Sequence, residues 1–365
     1  MNDELSRYRR QMLLPGFGEA GQRRLQASTA LVLGCGALGC MIAELLARAG
    51  VGHLRIIDRD VIDLTNLQRQ VLFDEQDVTD AIPKAEAARR RISRINSDVT
   101  VTAIVDDLGH RNIERYAAGV DILVDGLDNF EGRYLANDFA VRYGTPFICG
   151  GAVGTVGTAF AILPHTADGG ARWETIPGGS RATPCLRCLF EEAPPPGTTP
   201  TCETAGVMAP AVTTIASFEV AEALKVLTGN FDRVCPTLLN IDLWTNQIAQ
   251  LEVRDAYDRG DCPCCKHGRF DYLAGTYGSG AATLCGRDAV QLTHRQNAAT
   301  LDLAGIAVRL RGHGEVVTSP YMLRAQINDN GKPYVLSIFP DGRAIVHGTS
   351  EANVARGVFA KYIGI

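Results

Sequence analysis

Residues 31–40 read LVLGCGALGC, an apolar run closed by Gly34, Gly36 and Gly39 in the spacing G-x-G-x-x-G. The run at 30–33 predicts a buried strand, and ALGCMIAELLARAG at 37–50 carries apolar residues at helical spacing until Gly50, a C-terminal cap. A glycine turn between strand and helix admits a phosphate to the helix N-terminus, where a side chain at Gly36 would hold it away. Asp58 stands at the tip of the next predicted strand, HLRIID at 53–58, after the interval of about 20 residues at which an acid reaches ribose hydroxyls. Together these residues predict a nucleotide site on a parallel, helix-covered sheet.

The pattern continues on both sides of this stretch. A helix is predicted over 19–26. After Asp58 come a loop containing NLQRQ (66–70), a helix opened by Pro83, a strand VTVTAIV (99–105) and a strand DILVDG (121–126) that runs into LDNFEGR (127–133). A helix over 211–227 and two strands within 237–253 complete the unit. Strands alternating with helices make this an α/β chain with a Rossmann-like, mostly parallel sheet and helices on both faces. Residues 164–210 are rich in Gly, Pro and Thr, a connection too long for a tight turn and of the kind that carries function. DCPCCKHGRFDYL at 261–273 marks a boundary, which predicts one domain over 1–268 and a small α+β domain over 280–365. In the latter YVLSIF (334–339) and RAIVHG (343–348) flank the turn PDGR as a hairpin, and EANVARGVFAKYIGI closes as a helix.

Composition removes several function classes. The 365 residues are 46% apolar and 21% charged, an ordinary globular balance, and the net charge of -5 gives no footprint for nucleic-acid binding. The first residues, MNDELSRYRRQMLL, hold no apolar stretch suited to a signal peptide, so a cytoplasmic location is expected. The least polar window, TAGVMAPAVTTIASF at 204–218, falls short of the ~20 apolar residues that a membrane span needs. Eleven cysteines in a reducing compartment then point to metal or nucleophile chemistry rather than disulfides.

Cys185 and Cys188, with Cys262 and Cys265, form two C-x-x-C pairs, the set that fills a tetrahedral structural Zn²⁺ with thiolates; Cys264 stands beside them as a competing ligand. Cys202 lies apart in the Pro/Thr-rich loop, where an accessible thiol has a nucleophilic or sulfur-relay role open to it. Cys35, Cys40 and Cys149 read as small core residues. Asn66, Arg69, Lys84 and Asp128 each fall next to a predicted strand end or helix start. A cationic pair suits a triphosphate and an acid suits Mg²⁺, whereas hydride transfer in an NAD-dependent dehydrogenase, which the glycines and Asp58 alone would also fit, needs no such set.

Taken in order, RYRRQMLLPGFG (7–18), GCGALGC (34–40), AGVGHLRIIDRDVIDLTNLQRQ (49–70), PKAEAA (83–88), DGLDNFEGRYLAND (125–138), CLRC (185–188) and TCETAGVMAP (201–210) resemble the ThiF/MoeB/HesA adenylyltransferases, bacterial relatives of ubiquitin-activating enzymes, over about 5–265. The C-terminal unit, with LCGRDAVQL, FPDGRAIVHG and ARGVFAKYIG, resembles an extension on some ThiF-type chains. The resemblance implies ATP-dependent adenylation of the C-terminal glycine of a ubiquitin-like sulfur carrier, ThiS or MoaD in type, ahead of thiocarboxylate formation with a persulfide donor for thiamine or molybdenum cofactor synthesis. It implies that Gly34, Gly36, Gly39 and Asp58 bind the nucleotide, Asn66, Arg69 and Lys84 contact phosphates, and Asp128 holds Mg²⁺. It implies too that Arg10 reaches into a partner subunit's site, hence a homodimer, and that Cys202 lies in a crossover loop at about 190–206, where it can join the carrier through sulfur. VTDAIPK at 78–84 departs from the family's V-G-x-P-K by two residues, which bears on the reach of Lys84. Adenylation of another carboxylate, on a peptide or a tRNA-borne acid, and a non-catalytic docking module are the alternatives on the same fold.

Overall fold

Residues 30–33 are fully buried, as a parallel strand covered on both faces must be. They belong to β1 (Thr29–Leu33), the centre of the larger of two units in the computed structural model, which describes residues 3–165, 182–194, 202–277, 283–284, 288–292, 301–329, 331–340 and 342–363. β1, β2 (His53–Ile57), β3 (Thr100–Ile104), β4 (Ile122–Asp125) and β5 (Phe147–Val153) run parallel in the order β3-β2-β1-β4-β5. β6 (Val156–Ile162), β7 (Thr237–Asp242) and β8 (Gln247–Glu252) extend the sheet beyond β5 as an antiparallel meander. The sheet is thus parallel through the half that carries the glycine turn.

Its longer helices are α1 (Gly18–Ala27), α2 (Ala37–Ala49), α3 (Lys84–Ile95), α4 (Phe130–Tyr143) and α5 (Ala209–Leu227). Successive strand residues point to opposite faces, and β1 shows which helix takes which. Leu31 and Leu33 join a core with Tyr134, Leu135 and Phe139 of α4, whereas the Val32 side chain lies against Gly39 of α2. α5 packs on α1, α2 and the strands β4 to β6, and α2 packs on α3, so these helices share the face opposite α4. α2 ends at Gly50, whose φ of +86° is the left-handed cap that the sequence predicts.

The smaller unit takes Ser279–Ile365 and also Glu75–Pro83. β9 (Thr283–Leu284), β10 (Ala289–Leu292), β11 (Gly314–Thr318), β12 (Leu323–Asp329), β13 (Lys332–Ile338) and β14 (Ala344–His347) form an antiparallel sheet in the order β11-β12-β13-β14-β10-β9. α6 (Leu303–Leu310) and α7 (Ala352–Ile363) bury Ile306, Leu310, Val358 and Phe359 in one core with Leu323, Leu336 and Val346. The expected hairpin is the β13–β14 pair, though Asp341 of its turn lies outside the described residues, as do residues 195–201 of the crossover loop. No helix among the described residues is long and apolar enough to cross a membrane.

Candidate active site and cysteine cluster

The glycine turn lies at the C-terminal end of β1, where open α/β sheets place their ligands. Gly34 has a φ of +82° and its N–H donates to the Ile57 carbonyl at 2.8 Å, while Gly126 N–H, after β4, donates to Leu33 at 2.7 Å. A Cβ on Gly39 would stand 2.0 Å from the Gly34 carbonyl oxygen, so close packing of α2 on the turn fixes that glycine. Gly36 differs. A Cβ there would meet no protein atom nearer than 3.9 Å, so the room it leaves is not demanded by protein packing. It is also the N-cap of α2 and has no side chain to satisfy the first N–H groups of that helix, which leaves them to an anion.

Asp58 braces the turn. Its Oδ2 accepts the Cys35 N–H and its Oδ1 the Asp60 N–H, both at 2.7 Å. Burial, with the neighbouring Asp60 charge, raises its carboxyl above the ordinary range against the opposing Lys84 charge and the two N–H groups. A carboxylate has about four acceptor positions, so capacity remains for a ribose hydroxyl. Lys84 is the first residue of α3 and is buried; its Nζ pairs with Asp60 Oδ2 at 2.9 Å, and its N–H donates to the Asp60 carbonyl at 2.9 Å. The longer VTDAIPK approach therefore still delivers Lys84 beside Asp58. Asn66 is buried, with its side-chain oxygen accepting the Asp63 N–H at 3.0 Å in a capping box, so it shapes the loop. Arg69 donates from Nη1 to the Thr65 carbonyl at 2.9 Å and is partly exposed.

Asp128 is exposed in the turn after β4, and its Oδ1 accepts the Asn129 amide at 3.2 Å. The charges of Arg69, Asp128 and Arg133 all act on the Cys202 thiol, which groups these residues around the C-terminal half of β5. Cys202 is partly accessible. It begins a one-turn helix, is half-buried, and donates from Sγ to the Ala152 carbonyl of β5 at 3.3 Å. That burial pushes its thiol up, so at neutral pH it is a thiol rather than a thiolate. Arg10 is exposed on the short helix Arg9–Met12, and among the described residues no contact joins it to Asp58, Lys84 or Asp128. Sequence reasoning missed Asp60, Asp125 and Arg133, whose roles arise only from pairing.

The cysteines form a separate site in the same unit. The sulfurs of Cys185, Cys188, Cys262 and Cys265 all lie within 4.8 Å of one another, with 3.6 Å between Cys185 and Cys262 and 3.3 Å between Cys188 and Cys265. Tetrahedral Zn–S bonds of about 2.3 Å place sulfurs about 3.8 Å apart, so this set fits that ion. Cys264 lies outside this set of four: its Sγ donates to Asp138 Oδ1 at 3.4 Å and receives the Asn137 amide at 3.5 Å. Asp138 is buried beside Arg187, and burial raises its carboxyl to about 6.

With this geometry in hand, comparison with known proteins places the chain. The profile of the ThiF family matches residues 8–264. The sulfur carrier protein ThiS adenylyltransferase of Bacillus subtilis strain 168 is 41% identical over 360 residues, 98% of this chain and 99% of its own length. The SAMP-activating enzyme E1 of Haloferax volcanii is 35% identical over 74% of this chain and 92% of its own, and the sulfur carrier protein adenylyltransferase of Thermus thermophilus 37% identical over 72% and 91%. Among solved structures, E. coli MccB crystallised with ATP superposes with a TM-score of 0.56 at 23% identity, covering 71% of this chain and 74% of that one, a likeness of fold. The glycine turn, its bracing acid and the full-length relative agree, and the chain belongs to the ThiF family.

Proposed function

We propose that this enzyme transfers AMP from ATP to the C-terminal glycine carboxylate of a ubiquitin-like sulfur carrier, ThiS or MoaD in type, and so prepares it for thiocarboxylate formation in thiamine or molybdenum cofactor synthesis. The observation that carries the reading is the end-to-end likeness to a ThiS adenylyltransferase, C-terminal unit included, which favours a ThiS-type carrier. Residues 1–268 are read as the adenylyltransferase domain and 280–365 as the small C-terminal domain. We place the reaction in the cytoplasm, where its thiols stay reduced.

The glycine carboxylate attacks the α-phosphorus, an oxygen–phosphorus bond forms, the bond to the bridging oxygen breaks, and pyrophosphate leaves. A C-terminal carboxyl ionises at about 3.5, so no protein base is required and catalysis is positioning and electrostatics. Gly34, Gly36 and Gly39 shape the phosphate cradle and Asp58 receives the ribose. Asn66 holds the loop from which Arg69 faces the phosphates. Lys84 adds its charge beside Asp60, and Arg10 is assigned to the site of a partner subunit in a homodimer. Asp128, an exposed carboxylate at the turn after β4, fits Mg²⁺, which when bound neutralises phosphate charge. Zn²⁺ belongs to Cys185, Cys188, Cys262 and Cys265. A persulfide donor then passes its outer sulfur to the Cys202 thiolate and leaves as a thiol, and that sulfur attacks the glycyl carbonyl carbon, so that a carbon–sulfur bond forms, AMP leaves and the carrier is joined to Cys202 through an acyl disulfide.

The test is intact-mass analysis of ThiS-type and MoaD-type carriers after incubation with enzyme and MgATP. A gain of one adenylyl group on a carrier supports the reading and names the pathway. Consumption of ATP with neither carrier modified would redirect it to another carboxylate.

A further inference from the structure

Beneath Asp128 lies a buried charged group with no part in the chemistry above. Asp125, the last residue of β4, is fully buried; its Oδ2 accepts Arg133 Nε at 2.8 Å and its Oδ1 accepts the Leu127 N–H at 2.9 Å. Arg133, in the first turns of α4, donates from Nη2 to the Leu127 carbonyl at 2.8 Å. The pair therefore holds Leu127 by both its N–H and its C=O. Because a peptide is planar, the Leu127 carbonyl fixes the plane that carries the Asp128 nitrogen and Cα, and with it the point from which the Asp128 side chain leaves the turn. Arg133 lies against Gly151 of β5, where the absence of a side chain admits it: a Cβ there would stand 3.1 Å from Nη2.

A further acid faces this pair from α5. Glu219 is fully buried against Gly150, where a Cβ would stand 2.4 Å from the Glu219 carboxyl carbon, and among the described residues neither of its carboxyl oxygens has a hydrogen-bond partner. Burial holds that carboxyl well above the ordinary Glu range, which favours its neutral form and leaves the guanidinium to Asp125. The arrangement is an arginine committed to one carboxylate and one carbonyl, both of which set the same turn.

We propose that Arg133 is a positioning residue: through Asp125 and the Leu127 carbonyl it presents the Asp128 carboxylate to the divalent cation that accompanies ATP. This rests on the assignment of Asp128 to that cation. Lysine at 133 keeps the charge and loses the two-pronged grip, so R133K should fold, reach near wild-type rate at saturating Mg²⁺, and need about tenfold more Mg²⁺ for half-maximal AMP transfer, the loss usual when a residue supporting a metal ligand is changed.

The experiment titrates Mg²⁺ in AMP transfer, and Mn²⁺ with ATP by electron paramagnetic resonance without any carrier, for wild type, R133K, D128N and the double variant, with thermal unfolding of each. The expected result is a weaker cation constant in R133K, no further weakening when R133K is added to D128N, and a melting temperature close to wild type. Unchanged cation constants in a folded R133K, or shifts that add across the double variant, overturn the proposal. So does a D128N protein whose cation constants match wild type. If R133K does not fold, the paired change D125N/R133M removes both charges together and the same constants are read on it. Wild-type protein that binds Mn²⁺ with ATP yet modifies no carrier would reject the carrier reading alone and leave these constants to decide the role of Arg133.

Discussion

At the scale of single residues, Asp60 determines where the Lys84 ammonium sits. The Lys84 side chain is 3% exposed and Asp60 13%, and they pair at 2.9 Å. Breaking such a pair from one side leaves a buried charge behind, so D60A should cost about 3 kcal/mol of stability as well as activity, read by denaturant unfolding. A D60A protein as stable as wild type would mean that Lys84 is held by other groups. Glu219 makes the opposite case, a buried acid that accepts no hydrogen bond among the described residues. In the unfolded chain it ionises at about 4.3, whereas burial first, then Asp125, raise it in the fold and Arg133 opposes them. Between the unfolded and folded values the unfolded state sheds a proton that the folded state keeps, so this group's contribution is greatest below the unfolded value and falls as pH rises. E219Q removes that dependence. The melting temperature of E219Q minus that of wild type should therefore grow from about pH 5 to about pH 8; a difference that stays flat would show that Glu219 is ionised in the fold.

At the scale of elements, the glycine turn separates packing from binding. In G39A the new Cβ meets the Gly34 carbonyl at 2.0 Å, and overpacking of that kind should cost about 3 kcal/mol. G36A meets nothing nearer than 3.9 Å, so it should keep its melting temperature and lose about tenfold in ATP affinity by calorimetry. Equal effects of the two substitutions would remove the phosphate from Gly36. This turn was legible in the sequence because positive φ and close approach admit glycine alone. The paired C-x-x-C spacing was legible for a similar reason, the fixed geometry of a metal. α4 was not: Arg133, Asn137 and Asp138 turn inward to Asp125, Leu186 and Tyr272, so polar residues occupy the face that an apolar stripe would mark. β5 hid likewise, because Gly150 and Gly151 serve Glu219 and Arg133 rather than the strand. Spacing left Cys264 level with its neighbours, and Asp138 decides between them.

At the scale of the molecule, the cysteine cluster joins distant parts of the larger unit. Cys185 and Cys262 are 77 residues apart, and between them lie the crossover loop, Cys202, α5 and the β7–β8 hairpin. Closing a segment of that length by a metal removes much of its unfolded freedom, so zinc binding doubles as folding free energy. Removal of the metal with a chelator should lower the melting temperature by at least about 5 °C. It should also be felt at Cys202. In the native fold burial raises that thiol, so its alkylation by iodoacetamide at neutral pH is slow and quickens as pH rises past the value of about 8.5 typical of a free thiol. Loosening the segment returns Cys202 toward that ordinary value, and a lower pKa means more thiolate at a fixed pH. Peptide mass spectrometry, which tells Cys202 from the four freed ligands, should find its alkylation faster after chelation. C264S should bind zinc as wild type does, whereas C265S should not. An unchanged Cys202 rate in metal-free protein would show that the segment holds its place without the ion, and the cluster would then stabilise only its own corner of the fold.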